Sequence, residues 1–344
     1  MRKINKICVI NNYNYGRFLS DCLNSVINQT IPFDKVVIVD DGSTDNSTMI
    51  IKKFCKNNSN LIPIYKANAG QLSCFNAASV YVDEESQVFF LDSDDAYPKD
   101  YLELFMSKLH NDMFDFAYSS SKEFTDNANV ALTALSNDQV DILWNKTSAI
   151  VRQQGIWIGN ATSSISVSGR IYKSLLPYPF PEDWISRADD LFVYGASIIG
   201  AKKLFIPSLS FSYRRHTKSD STNKNYANPT QEERLRRDQN ITRMFNHFCT
   251  KFHLKRRPDF TEVTTECDKL GADTKLKLKS LEFPFFDWEN FKPDTSILIS
   301  GFDVVDVENY IRLGAARLKI NFICNAVVIN GKPSLEVTHL SESN

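Results

Sequence analysis

The stretch VFFLDSDDAYP, residues 88–98, places three carboxylates directly after an apolar run. Residues 88–91 have the continuous apolar character of a strand that is buried on both faces of a parallel sheet. Asp92, Asp94 and Asp95 follow at once, and like charges this close repel one another unless a partner or solvent offsets them. The stretch therefore predicts a buried strand that ends in a loop where a positive group or water balances the acids.

Apolar runs and helix-like segments alternate on both sides of this stretch, through the first 120 residues. The runs predict strands at 6–10, 35–40, 61–65, 87–91 and 114–119. The segments between them predict helices at 17–29 and 71–82, a helix that follows the turn at 41–44 and ends near 56, and a further helix that starts near 98. Near-continuous apolar strands separated by helices are typical of an α/β protein. We expect a mostly parallel, Rossmann-like sheet with helices on both faces.

The composition is that of a globular protein: of 344 residues, 42% are hydrophobic and 24% charged, and the net charge is −1. So small a net charge gives no general field for nucleic acid. Seven cysteines without a C-x-x-C pair predict buried thiols in a reducing compartment. No apolar stretch approaches the ~20 residues of a membrane-spanning helix, and the N-terminus does not match a signal peptide. We therefore expect a cytoplasmic protein.

Four polar loops, at 11–15, 40–45, 67–71 and 92–95, follow the first four predicted strands. Because ligands of parallel sheets bind beyond the carboxyl ends of the strands, these loops together predict one composite site. Taken alone, DDGSTD can equally be a turn with a helix cap, and the three aspartates can be a solvated turn. Carboxylates one residue apart also suit Mg²⁺ or Mn²⁺, which share their remaining ligands with phosphate and water.

In combination these segments resemble the family-2 glycosyltransferases with the GT-A fold. The matching segments, in the family's order and at its usual distances, are VINNYNYGRFLSDCLNSVINQT, VVIVDDGSTDNS, NAGQLSCFNAA and FFLDSDDAYP. Later segments extend the match: ATSSISVSGRIYKSLLP, ADDLFVYGASIIGAKKLF and SFSYRRHTKSDS. The resemblance covers residues 5–220 and implies an inverting, metal-dependent enzyme. Such an enzyme moves a hexose or N-acetylhexosamine from a nucleoside-diphosphate sugar, most often a UDP-sugar, to a hydroxyl of a cell-envelope polysaccharide or glycolipid.

The resemblance also implies a donor site and a metal site at the strand ends. The implied nucleotide-sugar residues are Asn11, Tyr13, Asn14, Asp40, Asp41, Asn68, Gly70, Gln71, Asp92, Ser93, Arg214 and Arg215. Asp92 and Asp94 would form the D-x-D motif, with Asp94 on Mn²⁺ or Mg²⁺ and Asp92 on the ribose or a metal-bound water. Asp95 and His216 are the further candidate metal ligands.

A general base must take the proton of the acceptor hydroxyl. The family carries this carboxylate at the start of a late helix, which here implies Asp189, with Asp190 as the alternative; either can instead be a helix cap. Trp157 and Trp184 are candidates for stacking on an acceptor sugar, although tryptophans are more often buried.

The resemblance divides the chain into a GT-A domain (1–220, with a nucleotide-binding half 1–120 and an acceptor-binding half 121–220), a helical extension (221–285) and a β-α-β appendage without a predicted role (286–344). Residues 231–257 combine an apolar helical face with many basic residues. This helix can be a solvated face, or it can lie on the inner face of an anionic membrane.

Two other functions remain to be weighed. A sugar-nucleotide pyrophosphorylase would need a Gly-rich loop after the first strand, whereas NNYNYGRF has a single glycine. Dinucleotide binding is disfavoured because no G-x-G-x-x-G follows a predicted strand. The alternative that remains open is a non-catalytic nucleotide-sugar or glycan-binding subunit with the same fold.

Overall fold

A computed structural model describes residues 4–109, 114–125, 140–216, 229–271, 274, 292–300, 302, 304–318, 320–329 and 332–341 of the chain. The first part alternates strands and helices as predicted. Its elements are β1 (Asn5–Asn12), α1 (Gly16–Ile27), β2 (Lys35–Asp40), α2 (Ser47–Asn57), β3 (Leu61–Tyr65), α3 (Gln71–Ala78), β4 (Ser86–Asp92) and α4 (Tyr101–Ser107).

The next part completes the large sheet. Its elements are β5 (Phe116–Thr125), β6 (Ile142–Trp144), α5 (Ser148–Gln154), β7 (Ile165–Ser168), α6 (Gly169–Leu175), α7 (Asp189–Ile198) and β8 (Lys203–Arg215). The eight strands lie in the order β3-β2-β1-β4-β7-β5-β8-β6. The pairs among β1 to β4 are parallel, β5 and β8 are parallel, and β7 pairs antiparallel with β4 and β5. The prediction of a mostly parallel α/β sheet is confirmed.

Each face of this sheet carries its own hydrophobic core. Ile7 and Val9 of β1 point into one core, and Cys8 and Ile10 point into the other, because successive side chains of a strand alternate between faces. The core on the side of Cys8 is closed by α1, whose residues Phe18, Leu19, Cys22, Leu23 and Val26 form one buried stripe. With helices on both faces, the central strands β1, β2 and β4 are buried along most of their length, whereas the edge strand β3 is partly exposed.

Two further helices pack against the core on the side of Ile7. They are α8 (Gln231–Lys251) and α9 (Phe260–Asp268). Phe245 and Phe248 of α8 and Val263 of α9 are buried in the same core as β1. The large sheet and these helices therefore share one core. The predicted domain boundary at residue 220 stays a prediction.

The last part consists of a second, three-stranded sheet and one helix. The elements are β9 (Ser296–Ser300), α10 (Val304–Leu318), β10 (Phe322–Ile329) and β11 (Lys332–His339). The strands lie in the order β10-β11-β9 and both pairs are antiparallel. The predicted β-α-β arrangement lacks β11, whose apolar signal is weak because KPSLEVTH buries Leu335 and Val337 among polar residues. Phe260 of α9 packs into the core of this sheet.

All seven cysteines are free thiols, and five of them are buried. Within the described ranges, no helix is both long and apolar enough to cross a membrane.

Candidate active site

The carboxyl ends of β1, β2 and β4 and the loop after β3 open into a single cleft of about 1140 Å³. The predicted residues that line it are Asn11, Tyr13, Asn14, Asp41, Asn68, Gly70, Gln71, Asp92, Ser93, Asp94, Asp95 and Asp189. Parallel strands bring their carboxyl ends to one edge, which is why loops far apart in the sequence meet here. The predicted residues that do not line it are Asp40, Asp190, Arg214, Arg215, His216, Trp157 and Trp184.

The two adjacent aspartates after β2 have different surroundings. The carboxylate of Asp40 is buried and accepts hydrogen bonds from Asn12 Nδ2 at 2.8 Å and Ser43 Oγ at 2.6 Å. Asp41 lines the cleft, pairs with Lys66, and accepts a backbone N–H bond from Gly70 at 2.8 Å. Asp40 therefore fixes the shape of its own loop, while Asp41 joins this loop to the one after β3.

Asn14 joins the first two loops. It has a positive φ of 57°, and its Oδ1 accepts hydrogen bonds from the backbone of Thr44 at 2.8 Å and of Asp45 at 3.3 Å. Asp45 in turn accepts the backbone N–H of Gly16 at 2.8 Å. Asn adopts this left-handed backbone conformation more readily than most residues do. The local backbone geometry therefore favours Asn at position 14.

Gln71 connects the acidic loop to the segment before α7. Its Nε2 donates to Asp92 Oδ1 at 2.9 Å, and its Oε1 accepts the backbone N–H of Ala188 at 2.9 Å. Its backbone N–H donates to the carbonyl of Ile185 at 2.8 Å. Gln71 therefore connects the carboxyl end of β4 to the start of the helix that carries Asp189.

The three acids after β4 differ in what they contact. Asp95 is buried, and accepts from Ser163 Oγ at 2.6 Å and from the backbone N–H of Arg214 at 2.9 Å. Asp94 is partly exposed, and its Oδ2 lies 2.9 Å from His216 Nε2. Burial and then the charge of Asp94 raise the pKa of Asp92 to about 7, and the same two causes raise the pKa of Asp95 well above its ordinary value. Ionising all three acids at once is therefore unfavourable unless a positive group lies beside them.

His216 lies between Asp94 and an arginine that the sequence analysis did not select. Arg17 Nη2 is 3.2 Å from His216 Nδ1, and the ring of Phe18 packs against both side chains. A guanidinium can only donate, so Nδ1 accepts and Nε2 carries the proton that is given to Asp94. His216 therefore stands beside the acidic loop as predicted, although it does not line the cleft.

The two predicted arginines lie behind or away from the cleft wall. Arg214 is buried, and its Nε donates to the carbonyl of Asp94 at 2.8 Å while its Nη2 pairs with Asp21 at 2.8 Å. Arg215 pairs with Glu123 at 2.5 Å. Arg214 thus supports the backbone of the acidic loop.

Asp189 and Asp190 form the first turn of α7 but face different surroundings. Asp189 lines the cleft, and burial together with the charge of Asp190 raises its pKa to about 7. Asp190 is fully buried and is bound by Arg237 of α8. The accessible carboxylate of the pair is Asp189.

Both predicted acceptor tryptophans pack on the core. Trp184 is buried, and Trp157 is half-buried against the same core. The structure instead lines this side of the cleft with residues that the sequence analysis missed: Ala161, Thr162, Ile185, Ser186, Arg187 and Tyr213. Ile185 and Arg187 carry no motif signal; a positive φ of 61° at Arg187 and the exposed side chain of Ile185 become visible in the folded chain alone.

In the part of the chain that the structure describes, no group of three or more His, Cys, Asp or Glu side chains is arranged to hold a metal ion. Asp94 and His216 are nevertheless in contact, and Asp92 faces the same cleft. A cation bound here would need further ligands from a substrate or from water.

Residues 7–165 match the family described as "Glycosyl transferase family 2". This segment, somewhat less than half of the chain, is therefore a domain of the glycosyl transferase family 2 type. The chain is a glycosyltransferase, and most residues that line the cleft lie within the matched segment, while Ile185, Ser186, Arg187, Asp189 and Tyr213 lie beyond it.

Similar proteins agree with this assignment. An uncharacterized glycosyltransferase of Nostoc sp. is 29% identical over 265 residues, which are 74% of this chain and 78% of that protein. Glycosyltransferase GlyA of Streptococcus pneumoniae is 28% identical over 165 residues, which are 48% of this chain but 24% of that protein. The structure of S. aureus TarS in complex with UDP-GlcNAc covers 96% of both chains at 15% identity with a TM-score of 0.51, so this glycosyltransferase shares its fold.

Proposed function

We propose that this glycosyltransferase is a metal-dependent, inverting enzyme that uses a nucleoside-diphosphate sugar. The observation that carries the proposal is the meeting of four strand-end loops and the carboxylate of Asp189 in one cleft. A nucleotide, a diphosphate and a sugar need a cleft of this size with polar groups at several points.

The donor is proposed to be a UDP-sugar. Asn11, Tyr13 and Asp41 line the end of the cleft at β1 and β2 and would bind the nucleoside, with Asp92 on the ribose. The structure of TarS with UDP-GlcNAc, which has the same fold, supports this donor class.

The residues at the acidic loop fit a divalent cation, Mn²⁺ or Mg²⁺. The raised pKa values of Asp92 and Asp95 reflect burial and mutual repulsion that a cation would offset. Asp94 would be a ligand, with His216, Asp92 and Asp95 as further candidates and diphosphate oxygens completing the coordination. When bound, such a cation acts as a Lewis acid that offsets charge on the leaving diphosphate.

Asp189 is proposed as the general base. The acceptor hydroxyl oxygen forms a bond to the anomeric carbon, and the bond from that carbon to the diphosphate oxygen breaks, with its electron pair leaving on the nucleoside diphosphate. Asp189 takes the hydroxyl proton. Attack on the face opposite the leaving group inverts the anomeric centre.

The acceptor is proposed to be a hydroxyl of a polysaccharide or glycolipid, used at the cytoplasmic side. Several basic residues of 231–257 are engaged within the protein, such as Arg237 with Asp190 and Arg243 with Asp183. Contact of this helix with a membrane surface therefore stays a prediction that rests on its other basic side chains.

The test is a screen of nucleotide sugars with Mn²⁺ and Mg²⁺, with released nucleoside diphosphate as the readout. Asp94→Ala should lower turnover by at least about 100-fold and remove the effect of metal on donor binding, because the developing charge loses its stabilisation. Asp141→Asn, which breaks an ion pair with Lys108, is the control. It should keep both the turnover and the effect of metal on donor binding. Binding of a nucleotide sugar that neither metal nor Asp94→Ala changes, without turnover, would favour a non-catalytic subunit.

A further inference from the structure

Asp190 binds a residue that lies far outside the segment matched to the family. Its carboxylate accepts hydrogen bonds from Arg237 Nε at 3.0 Å and Arg237 Nη2 at 3.1 Å, a two-point contact from the second turn of α8. Asp190 is fully buried, and burying an unpaired carboxylate is costly, so this contact compensates a buried charge in the first turn of α7.

Hydrophobic packing holds α8 where Arg237 can make this contact. The rings of Tyr194 in α7 and Phe245 in α8 lie 5.4 Å apart. A side chain on Gly195 of α7 would come within 3.0 Å of Phe248, so the two helices approach closely at this glycine. The position of the guanidinium is therefore set by the core and not by the ion pair alone.

Asp190 also contacts a residue of the cleft wall. Arg187 Nε lies 3.4 Å from Asp190 Oδ2, and Arg187 lines the cleft with a positive φ of 61°. A left-handed backbone at a residue with a long side chain costs about 1–2 kcal/mol and persists where surrounding contacts fix it. Asp190 is such a contact, and it lies next to Asp189 in the chain.

We propose that Arg237 of α8 and Asp190 are positioning residues that hold Asp189 and Arg187 in the cleft. The helix beyond the matched segment is thus part of the active site. The proposal rests on the function proposed above, with Asp189 as the base.

The pKa of Asp189 depends on the charges around it. A shift of this pKa is therefore a readout that a purely structural role of Asp190 would not change. The groups that act on its carboxylate are Asp190, which raises its pKa, Arg187 and Arg237, which lower it, and Asp92, which interacts with it in the cleft. Asp190→Asn removes the charge that raises the pKa and leaves both arginines. The acidic limb of the kcat/KM profile should then move to lower pH by about one unit.

The experiment is a double-mutant cycle of Arg237→Met and Asp190→Asn on the full chain, with kcat, KM and UDP binding measured for each variant. If Arg237 acts through Asp190, Arg237→Met should lower kcat/KM by about 10-fold alone and by less than about 2-fold in the Asp190→Asn background. Arg237→Lys keeps the charge but loses the two-point geometry. Its kcat/KM should therefore lie between the values of Arg237→Met and the wild type. UDP binding should stay within about 2-fold because the nucleotide end of the cleft is unchanged.

Arg243→Met is the matched control, since Arg243 of the same helix pairs with Asp183 at 3.1 Å outside the cleft. It should leave kcat/KM near wild type, and its effect should be the same with and without Asp190→Asn. If Arg237→Met resembles Arg243→Met, or costs the same in both backgrounds, this inference is wrong. A wild-type protein that turns over no nucleotide sugar would instead contradict the proposed function.

Discussion

At the scale of single residues, neighbours in the sequence have separate tasks because the fold gives them different surroundings. Asp40 is buried under its own loop, while Asp41 faces the cleft. Asp190 is enclosed by arginines, while Asp189 faces the cleft. Both Asp-Asp pairs are predicted site residues from the sequence. Burial in the folded chain decides which aspartate of each pair can reach a ligand.

Asp189→Asn should lower kcat by about 100-fold or more, because the amide cannot take the acceptor proton. In the wild type, kcat/KM should fall as the pH drops through about 7, since the pKa of Asp189 is raised to about 7 and the protonated acid is not a base. UDP affinity, measured by calorimetry, should be unchanged in the variant. A variant that keeps the wild-type rate would remove Asp189 from the role of base.

At the scale of elements, the loop that enters α3 must come very close to the segment before α7. Gly70 has a φ of 87°, and a Cβ at this position would lie 2.4 Å from Ile185 Cα. Both the backbone conformation and the space therefore require glycine, and the backbone N–H of Gly70 also binds Asp41 at 2.8 Å. One loop residue joins three segments of the cleft.

Gly70→Ala should destabilise the protein by about 2–4 kcal/mol, the sum of the cost of a positive-φ extended backbone conformation that residues with a Cβ rarely adopt and of a steric clash. Gly155→Ala is the control: its φ is 65°, but nothing lies within 4 Å of the added carbon, so it should cost about 1 kcal/mol. Urea unfolding of both variants measures the difference. Equal losses would mean that the segment at Ile185 moves aside without cost.

At the scale of the whole molecule, the cleft is completed by two parts of the chain that are fixed to each other through α3. Gln71 at the start of α3 connects Asp92 to Ala188 in the cleft. Asn76, later in the same helix, binds the backbone of Tyr178 through two hydrogen bonds of 3.1 Å away from the cleft. The two side chains make comparable cross-links, one at the site and one outside it.

Gln71→Ala should lower kcat by about 10-fold or more with a smaller change in UDP affinity, because the start of α7 loses its link to the acidic loop. Asn76→Ala should instead lower stability by about 1–2 kcal/mol and leave kcat near wild type. Steady-state kinetics and denaturant unfolding of the two variants test this division. A kinetic loss as large in Asn76→Ala as in Gln71→Ala would contradict it.

The sequence by itself determined the mostly parallel sheet, the positions of the strand ends and the resemblance to a glycosyltransferase family. These features depend on local signals: continuous apolar runs, polar loops after them and a fixed order of short motifs. From the same signals, eleven of the twelve predicted residues that line the cleft were assigned to the four strand-end loops. The twelfth, Asp189, was assigned to the start of a late helix.

The tertiary structure decided what no local signal carries. Burial placed Trp184 in the core and Asp190 behind the cleft, while the close approach at Gly70 brought Ile185 and Arg187 to its wall. Arg237 follows Asp190 by 47 residues in the chain, and the two meet because the apolar face of α8 packs on α7. Pairing of this kind depends on side chains from distant segments sharing one core, and that information exists in the packed molecule alone.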